Sequence, residues 1–162
     1  MEKLLELFAG MLEYPQPGLA GLARECERRA ECPEAAGALR EFRMFAEGTS
    51  PAQLEEAYTA AFDLSAESCP YAGYHLFGDG HKRSAFLLEL KARYRARGLE
   101  TGSELPDHLS ALLRFAAACG QGEEREEILR EAVLPALQRM APTAGPGYGA
   151  VLKALAATLA GG

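Results

Sequence analysis

The stretch "SPAQLEEAYTAAFDL", Ser50 to Leu64, decides the fold. Ser50 places a hydroxyl where the first amides of a helix lack partners. Pro51 suits the first helical position, and Gln53 can return a side-chain bond to the cap. Leu54, Ala57, Tyr58, Ala61 and Phe62 then recur at spacings of three and four, so they share one face. Polar residues mark the start of this amphipathic helix, and apolar ones mark the face it buries.

The same period continues in both directions. Upstream, Leu4, Leu5, Phe8, Met11 and Leu12 line one face of a helix that "EYPQPG", Glu13 to Gly18, stops with two prolines. A second helix is predicted over 19–30, and a third from Pro33 to about Ala46, ended by Gly48. Downstream, "SAESCPYAGYHLFGDG", Ser65 to Gly80, breaks the pattern. It is too long and too aromatic for a simple turn. Helices are then predicted from His81 to Arg97 and through "ELPDHLSALLRF", Glu104 to Phe115. Two more cover Glu123 to Met140, with Pro135 kinking or dividing it, and Tyr148 to Leu159. The acidic first turn of the Glu123 helix suits the helix dipole. In the His81 helix, Phe86, Leu87, Leu90 and Tyr94 point inward and the basic residues, Arg83 among them, mostly outward. No segment alternates as a strand does, and no repeat or low-complexity tail is present. The reading is all-α: one compact bundle of seven or eight helices, a single domain over 1–162, with one long central connection.

Composition narrows the function. The chain has 162 residues and is 48% hydrophobic, as a packed domain is. Its 17 basic and 23 acidic side chains leave a net charge of −6. That argues against nucleic acid and permits a basic partner. No apolar run is long enough for a membrane helix, and the N-terminus lacks the basic region of a signal peptide, so the expected location is the cytoplasm. Cys26, Cys32, Cys69 and Cys119 form no C-x-x-C pair, and His75, His81 and His108 have no metal-ligand spacing. Reduced thiols, no metal and no cofactor are expected. The nucleophile-elbow, zinc-helix and phosphate-loop motifs are absent. "GYHLFGDGHKRS" has glycines near a lysine, but at the wrong spacing.

Glu104, Asp107 and His108 surround Pro106 and raise the question of chemistry. Helical neighbours diverge by about 100°, so Asp107 and His108 do not make an acid–base pair by themselves. On a wheel, Leu105, Leu109, Leu112, Leu113 and Ala116 form the buried stripe. His108 falls at its edge and Asp107 toward solvent, while Glu104 lies one turn before His108 and can pair with it. These residues read first as a helix start, with Asp107 serving its N-terminus and His108 at the boundary, and otherwise as a recognition edge for a basic, partly apolar peptide. Tyr71, Tyr74, Leu76 and Phe77 read either as a binding surface or as loop packing. Tyr58, Phe62 and Phe86 read as core.

Taken together, "LLELFAGMLEYP", "AYTAAFDL", "GYHLFGD" with Arg83, "LKARYRARGL", "ELPDHL" followed by "LRF", and "EAVLPAL" resemble the NarJ-type chaperones that assemble respiratory nitrate reductase. These lie within the broader TorD/DmsD group of chaperones for molybdenum enzymes, and the resemblance covers roughly residues 3–155. It implies an all-helical cytosolic protein with no catalysis and no cofactor of its own. The implied partner is the apo catalytic subunit of a molybdoenzyme, bound through its N-terminal leader and held for molybdenum cofactor insertion. It further implies that Glu104, Leu105, Pro106, Asp107 and His108, with Tyr71, Tyr74, His75, Phe77 and Asp79, form a peptide groove between the central connection and the Pro106 helix. Glu104 and Asp107 would there read the client's arginine or lysine. A chaperone for another molybdopterin oxidoreductase and a helical scaffold module are the alternatives, and the chain is expected to be a monomer or a dimer.

Overall fold

The structure, a computed structural model, describes residues 1–161. It contains ten α-helical segments: α1 (Glu2–Met11), α2 (Leu19–Arg29), α3 (Pro33–Glu47), α4 (Pro51–Tyr58), α5 (Ala72–Phe77), α6 (His81–Ala96), α7 (Leu109–Ala118), α8 (Glu123–Ile128), α9 (Leu134–Met140) and α10 (Tyr148–Ala160). Eight of the ten follow from the sequence if α8 and α9 count as one; the remaining two arise from that division and from α5. Among the described residues the sole β pairing is an isolated antiparallel bridge, Tyr71 to His108.

Local chemistry accounts for the ends. At α4 the Ser50 hydroxyl accepts the Gln53 amide at 3.3 Å, and the Gln53 side chain accepts the Ser50 amide at 3.4 Å. This is the capping box expected from the sequence. A π turn, Thr59–Asp63, then extends α4. A second π turn, Leu129–Val133, joins α8 to α9 just ahead of Pro135. Proline brings no amide to the ladder and crowds the carbonyl four residues back, so widening the preceding turn accommodates it without breaking the rod.

The core forms where α3 packs along α10 and α2, and where α1 packs against α7 and α2. Phe8, Phe42, Phe62, Phe115 and Tyr148 are fully or almost fully enclosed. Tyr148 stands at the centre of an aromatic cluster, with ring centroids 5.3 Å from Phe42, 5.4 Å from Tyr58 and 5.3 Å from Phe62. The expected burial of Tyr58 and Phe62 holds. Phe86 is only half-buried, against Phe77. α7 is enclosed on most of its circumference, with Leu109, Ser110, Leu112, Leu113, Phe115, Ala116 and Ala117 all buried. It is therefore a central rod, and whatever precedes it is placed by the elements around it. All four cysteines carry free thiols, and burial pushes the Cys26 thiol up to about 12.

Candidate functional site

The segment before α7 is not helical. Leu105 lies outside any helix ahead of Pro106, in line with the bias of residues before proline away from helical backbone. The chain reaches α7 only at Leu109, with His108 as the N-cap: His108 Nδ1 accepts the Ser110 amide at 3.1 Å. Two backbone bonds tie this stretch to the central connection. The Ala72 amide donates to the Asp107 carbonyl at 2.9 Å, and the Leu109 amide donates to the Pro70 carbonyl at 2.8 Å. The Tyr94 hydroxyl donates to the Pro106 carbonyl at 2.6 Å.

This changes the place of Asp107. The wheel puts it toward solvent, yet it is 0% exposed. The wheel assumes a helix running back to Glu104, whereas the chain turns at Pro106 and Asp107, closed by the His108 amide on the Leu105 carbonyl at 3.1 Å, and the carboxylate is carried inward. Its Oδ2 accepts Arg83 Nε at 3.0 Å and the Gly73 amide at 3.1 Å, while Oδ1 accepts Arg83 Nη2 at 3.4 Å. Asp107 therefore caps α5 and neutralises Arg83, and serves neither solvent nor the start of α7. Arg83, expected on the outer face of α6, has only 15% of its side chain exposed. It also donates to Asp79 at 3.0 Å and lies over the Tyr71 ring at 5.7 Å. Gly73 is required here, because a Cβ would stand 2.6 Å from Asp107 Oδ2.

Two further expectations fall with the helical start. Leu105 is 43% exposed and outside the buried stripe. Glu104 does not pair with His108; it accepts the Tyr71 hydroxyl at 2.8 Å. The bonds just described join the central connection to the Pro106 segment on the Asp107 side.

The open cleft lies on the other side of Tyr71. Its volume is about 460 Å³, within the range of small-ligand and peptide-side-chain pockets. The stop after α1 supplies Glu13 and Tyr14. Tyr58 and Asp63 come from α4 and its π turn, and Pro70 and Tyr71 from the central connection. The link after α6 brings Leu99, Glu100 and Glu104, and the start of α7 brings His108, Ser110, Ala111 and Arg114. Four carboxylates thus face one guanidinium. Arg114 is bound to Glu13, with Nη2 and Nε both donating to Oε1 at 2.6 and 3.1 Å. Asp63 and Glu100 have no ion-pair partner among the described residues.

Burial holds the His108 imidazole below its ordinary value of 6.5, against the opposing pull of Glu104, Glu13, Asp107 and Asp63. Its Nδ1 is already an acceptor, so at neutral pH it is an uncharged cap. Burial, followed by the bond to Glu104, pushes the Tyr71 phenol up. The cleft therefore presents carboxylates and aromatic rings to any occupant. Carboxylates accept charge-assisted bonds from guanidinium or ammonium groups, and ring faces attract the same cations. Ser110 Oγ donates to the Ala9 carbonyl at 2.8 Å and does not contact His108 as a nucleophile would.

Of the residues expected in the site, Tyr71, Glu104 and His108 line the cleft, and Leu105 follows Glu104 at the surface. Pro106 and Asp107 lie behind them. Tyr74, His75, Phe77 and Asp79 belong to α5 and its exit and are not among the lining residues. His75 is buried, its Nε2 2.7 Å from the Cys69 carbonyl oxygen. Phe77, 44% exposed, stacks on Phe86. Glu13, Tyr14, Asp63, Glu100 and Arg114 are absent from the expected set. Glu13 and Arg114 are 101 positions apart, and no local pattern joins them. The visible signal was the weak one that Glu13 and Tyr14 sit directly at a helix stop.

Residues 28–142 match the family described as "Nitrate reductase delta subunit". A Bacillus subtilis (strain 168) protein, named a probable nitrate reductase molybdenum cofactor assembly chaperone NarJ, is 41% identical over 70 residues. That stretch is 43% of this chain and 38% of the Bacillus protein. The nitrate reductase molybdenum cofactor assembly chaperone NarJ of Escherichia coli (strain K12) is 31% identical over 77 residues, 47% of this chain and 33% of that protein. The matched stretches thus span little more than a third of these relatives. A crystal structure from Archaeoglobus fulgidus, assigned to the redox enzyme maturation proteins, superposes with a TM-score of 0.71. It covers 99% of this chain and 94% of the other at 22% identity, a likeness of fold.

Proposed function

The chain belongs to the nitrate reductase delta subunit family, and on that premise we propose that it is an assembly chaperone for a nitrate reductase-like molybdoenzyme. In this reading it acts in the cytoplasm and binds the N-terminal segment of the apo catalytic subunit. It holds that subunit for molybdenum cofactor insertion, before membrane attachment or export. The cofactor is the client's, and no reaction is assigned to this chain.

The observation that carries the reading is the acidic, aromatic cleft beside Tyr71. A leader segment with arginine or lysine among apolar residues matches its chemistry. Glu104, Glu100 and Asp63 would accept the cationic side chains. Tyr71, Tyr14 and the exposed Leu105 would cover the apolar ones, and His108 would form the wall. Asp107 and Pro106 take a positioning role, because they fix the segment that carries Glu104 and His108. Tyr74, His75, Phe77 and Asp79 support the site through α5, which anchors Arg83 and Asp107.

The test is calorimetric titration with a synthetic peptide carrying the N-terminal residues of the host's nitrate reductase catalytic subunit. Each partly exposed carboxylate contributes modestly, so the paired change Glu100→Gln with Glu104→Gln should weaken binding about three- to twentyfold. Added salt should weaken it further. Full affinity in the paired variant, with no salt dependence, would place the peptide elsewhere.

A further inference from the structure

Resting on that reading, we infer that Arg114 is a built-in stand-in for the client's cationic side chain. It occupies Glu13 until an incoming guanidinium takes its place, and so sets the affinity and cation selectivity of the cleft.

Four observations support this. Among the described residues, Arg114 is the sole lysine or arginine lining the cleft, beside four carboxylates. Its guanidinium makes two bonds to a single oxygen of Glu13, at 2.6 and 3.1 Å, leaving Glu13 Oε2 without a bond from it. A client guanidinium that grips the Glu13 carboxylate through both oxygens needs Oε1 as well as Oε2, so it competes with Arg114 for that oxygen. The pair is also cheap to open. Its side chains are 46% and 44% exposed, and ion pairs this wet contribute little to stability. The join between α1 and α7 does not depend on it, because the two helices pack along each other with Leu5, Phe8 and Leu112 buried, and the Ser110 hydroxyl bonds the Ala9 carbonyl.

The remaining carboxylates give the exchange an order. Among the described residues, Asp63 and Glu100 have no ion-pair partner, and Glu104 is held only by a neutral phenol. A cationic side chain can settle on these without breaking an ion pair. Gripping both oxygens of Glu13 requires Arg114 to swing toward water, which its exposure permits. A single cation, or a peptide whose charges cannot reach Glu13, leaves Arg114 in place.

The experiment uses the full chain and two peptides. One is the synthetic N-terminal peptide of the host's nitrate reductase catalytic subunit. The other is the same peptide with every arginine replaced by citrulline, which keeps the shape and removes the charge. Affinities are measured for the wild type, Arg114→Gln, Glu13→Gln and the double variant. Arg114→Gln should bind the arginine peptide about two- to fivefold tighter and the citrulline peptide no differently. With Glu13→Gln already present, the gain should vanish, since both cations contest that one carboxylate. An equal gain with or without Glu13 would mean that Arg114 acts only through the general field of the cleft, and the stand-in would be overturned. No gain at all would overturn it too. Thermal melting of each variant, expected to stay within a few degrees of wild type, checks that the fold is kept. Arg114→Lys, which keeps the charge but not the two-bond grip, should give a smaller gain of the same sign, and no gain there counts against the exchange. A wild type that binds both peptides alike overturns the cleft reading and the stand-in with it. A wild type that prefers arginine, with Arg114→Gln unchanged, overturns the stand-in alone.

Discussion

Replacing Asp107 by alanine should unfold the protein far more readily while teaching little directly about its client. The carboxylate is fully enclosed and accepts three bonds, two from the Arg83 guanidinium and one from the Gly73 amide. Without it the Gly73 amide is buried and unpaired. Arg83, 15% exposed, keeps only Asp79, whose side chain is 79% exposed and screened by water. Removing one partner of a buried pair costs about 3–5 kcal/mol. At about 2–4 °C per kcal/mol for a chain of this size, the melting temperature should fall by about 6–20 °C. Asp107→Asn keeps an acceptor for Gly73 and loses the charge, so it should cost less, about 1–3 kcal/mol. The assay is urea denaturation followed by far-ultraviolet circular dichroism, with the slope compared between variants. An Asp107→Ala protein that loses less than about 1 kcal/mol yet binds the client peptide weakly would refute the argument. It would show a carboxylate at the surface, as the helical wheel places it.

Gly73→Ala should destabilise by about 1–3 kcal/mol even though alanine favours helices, because the new Cβ meets Asp107 Oδ2 at 2.6 Å and Arg83 Cγ at 3.2 Å; an unchanged urea midpoint would contradict this. For His108 the sign follows from its lowered folded pKa. The unfolded chain takes up the proton first, so the stability from the neutral cap is present above about pH 6.5 and is lost as pH falls toward the folded value. His108→Asn, which can still accept the Ser110 amide, should flatten that part of the pH dependence between about pH 7.5 and about pH 5.5. A midpoint in the variant that drops as far as the wild type's would assign the loss to other groups.

Much of the fold was legible because helices are specified locally. Ser50, Pro51 and Gln53 set a start, the spacing of Leu54, Tyr58 and Phe62 sets a face, and both act within a few residues of chain. The short helix α5 was not legible: Ala72–Phe77 is too brief for a periodic signal and is held by contacts from Asp107 and Arg139. The candidate cleft was legible in part. Tyr71, Glu104 and His108, expected in a peptide groove, line that cleft, whereas Leu105 and Asp107 take places that a wheel could not predict. The wheel extrapolated a helix back through residues that instead form a turn bonded to the Pro70–Ala72 backbone. The sequence by itself determined the all-α class, the helix faces and the family likeness, since these depend on near neighbours and on residue types. Only the tertiary structure decided that Asp107 turns inward to Arg83 and that Glu13, Asp63, Glu100 and Arg114 meet in one cleft. The physical reason is range: a carboxylate's partner is chosen by what packs beside it, and here those partners come from residues up to 101 positions away.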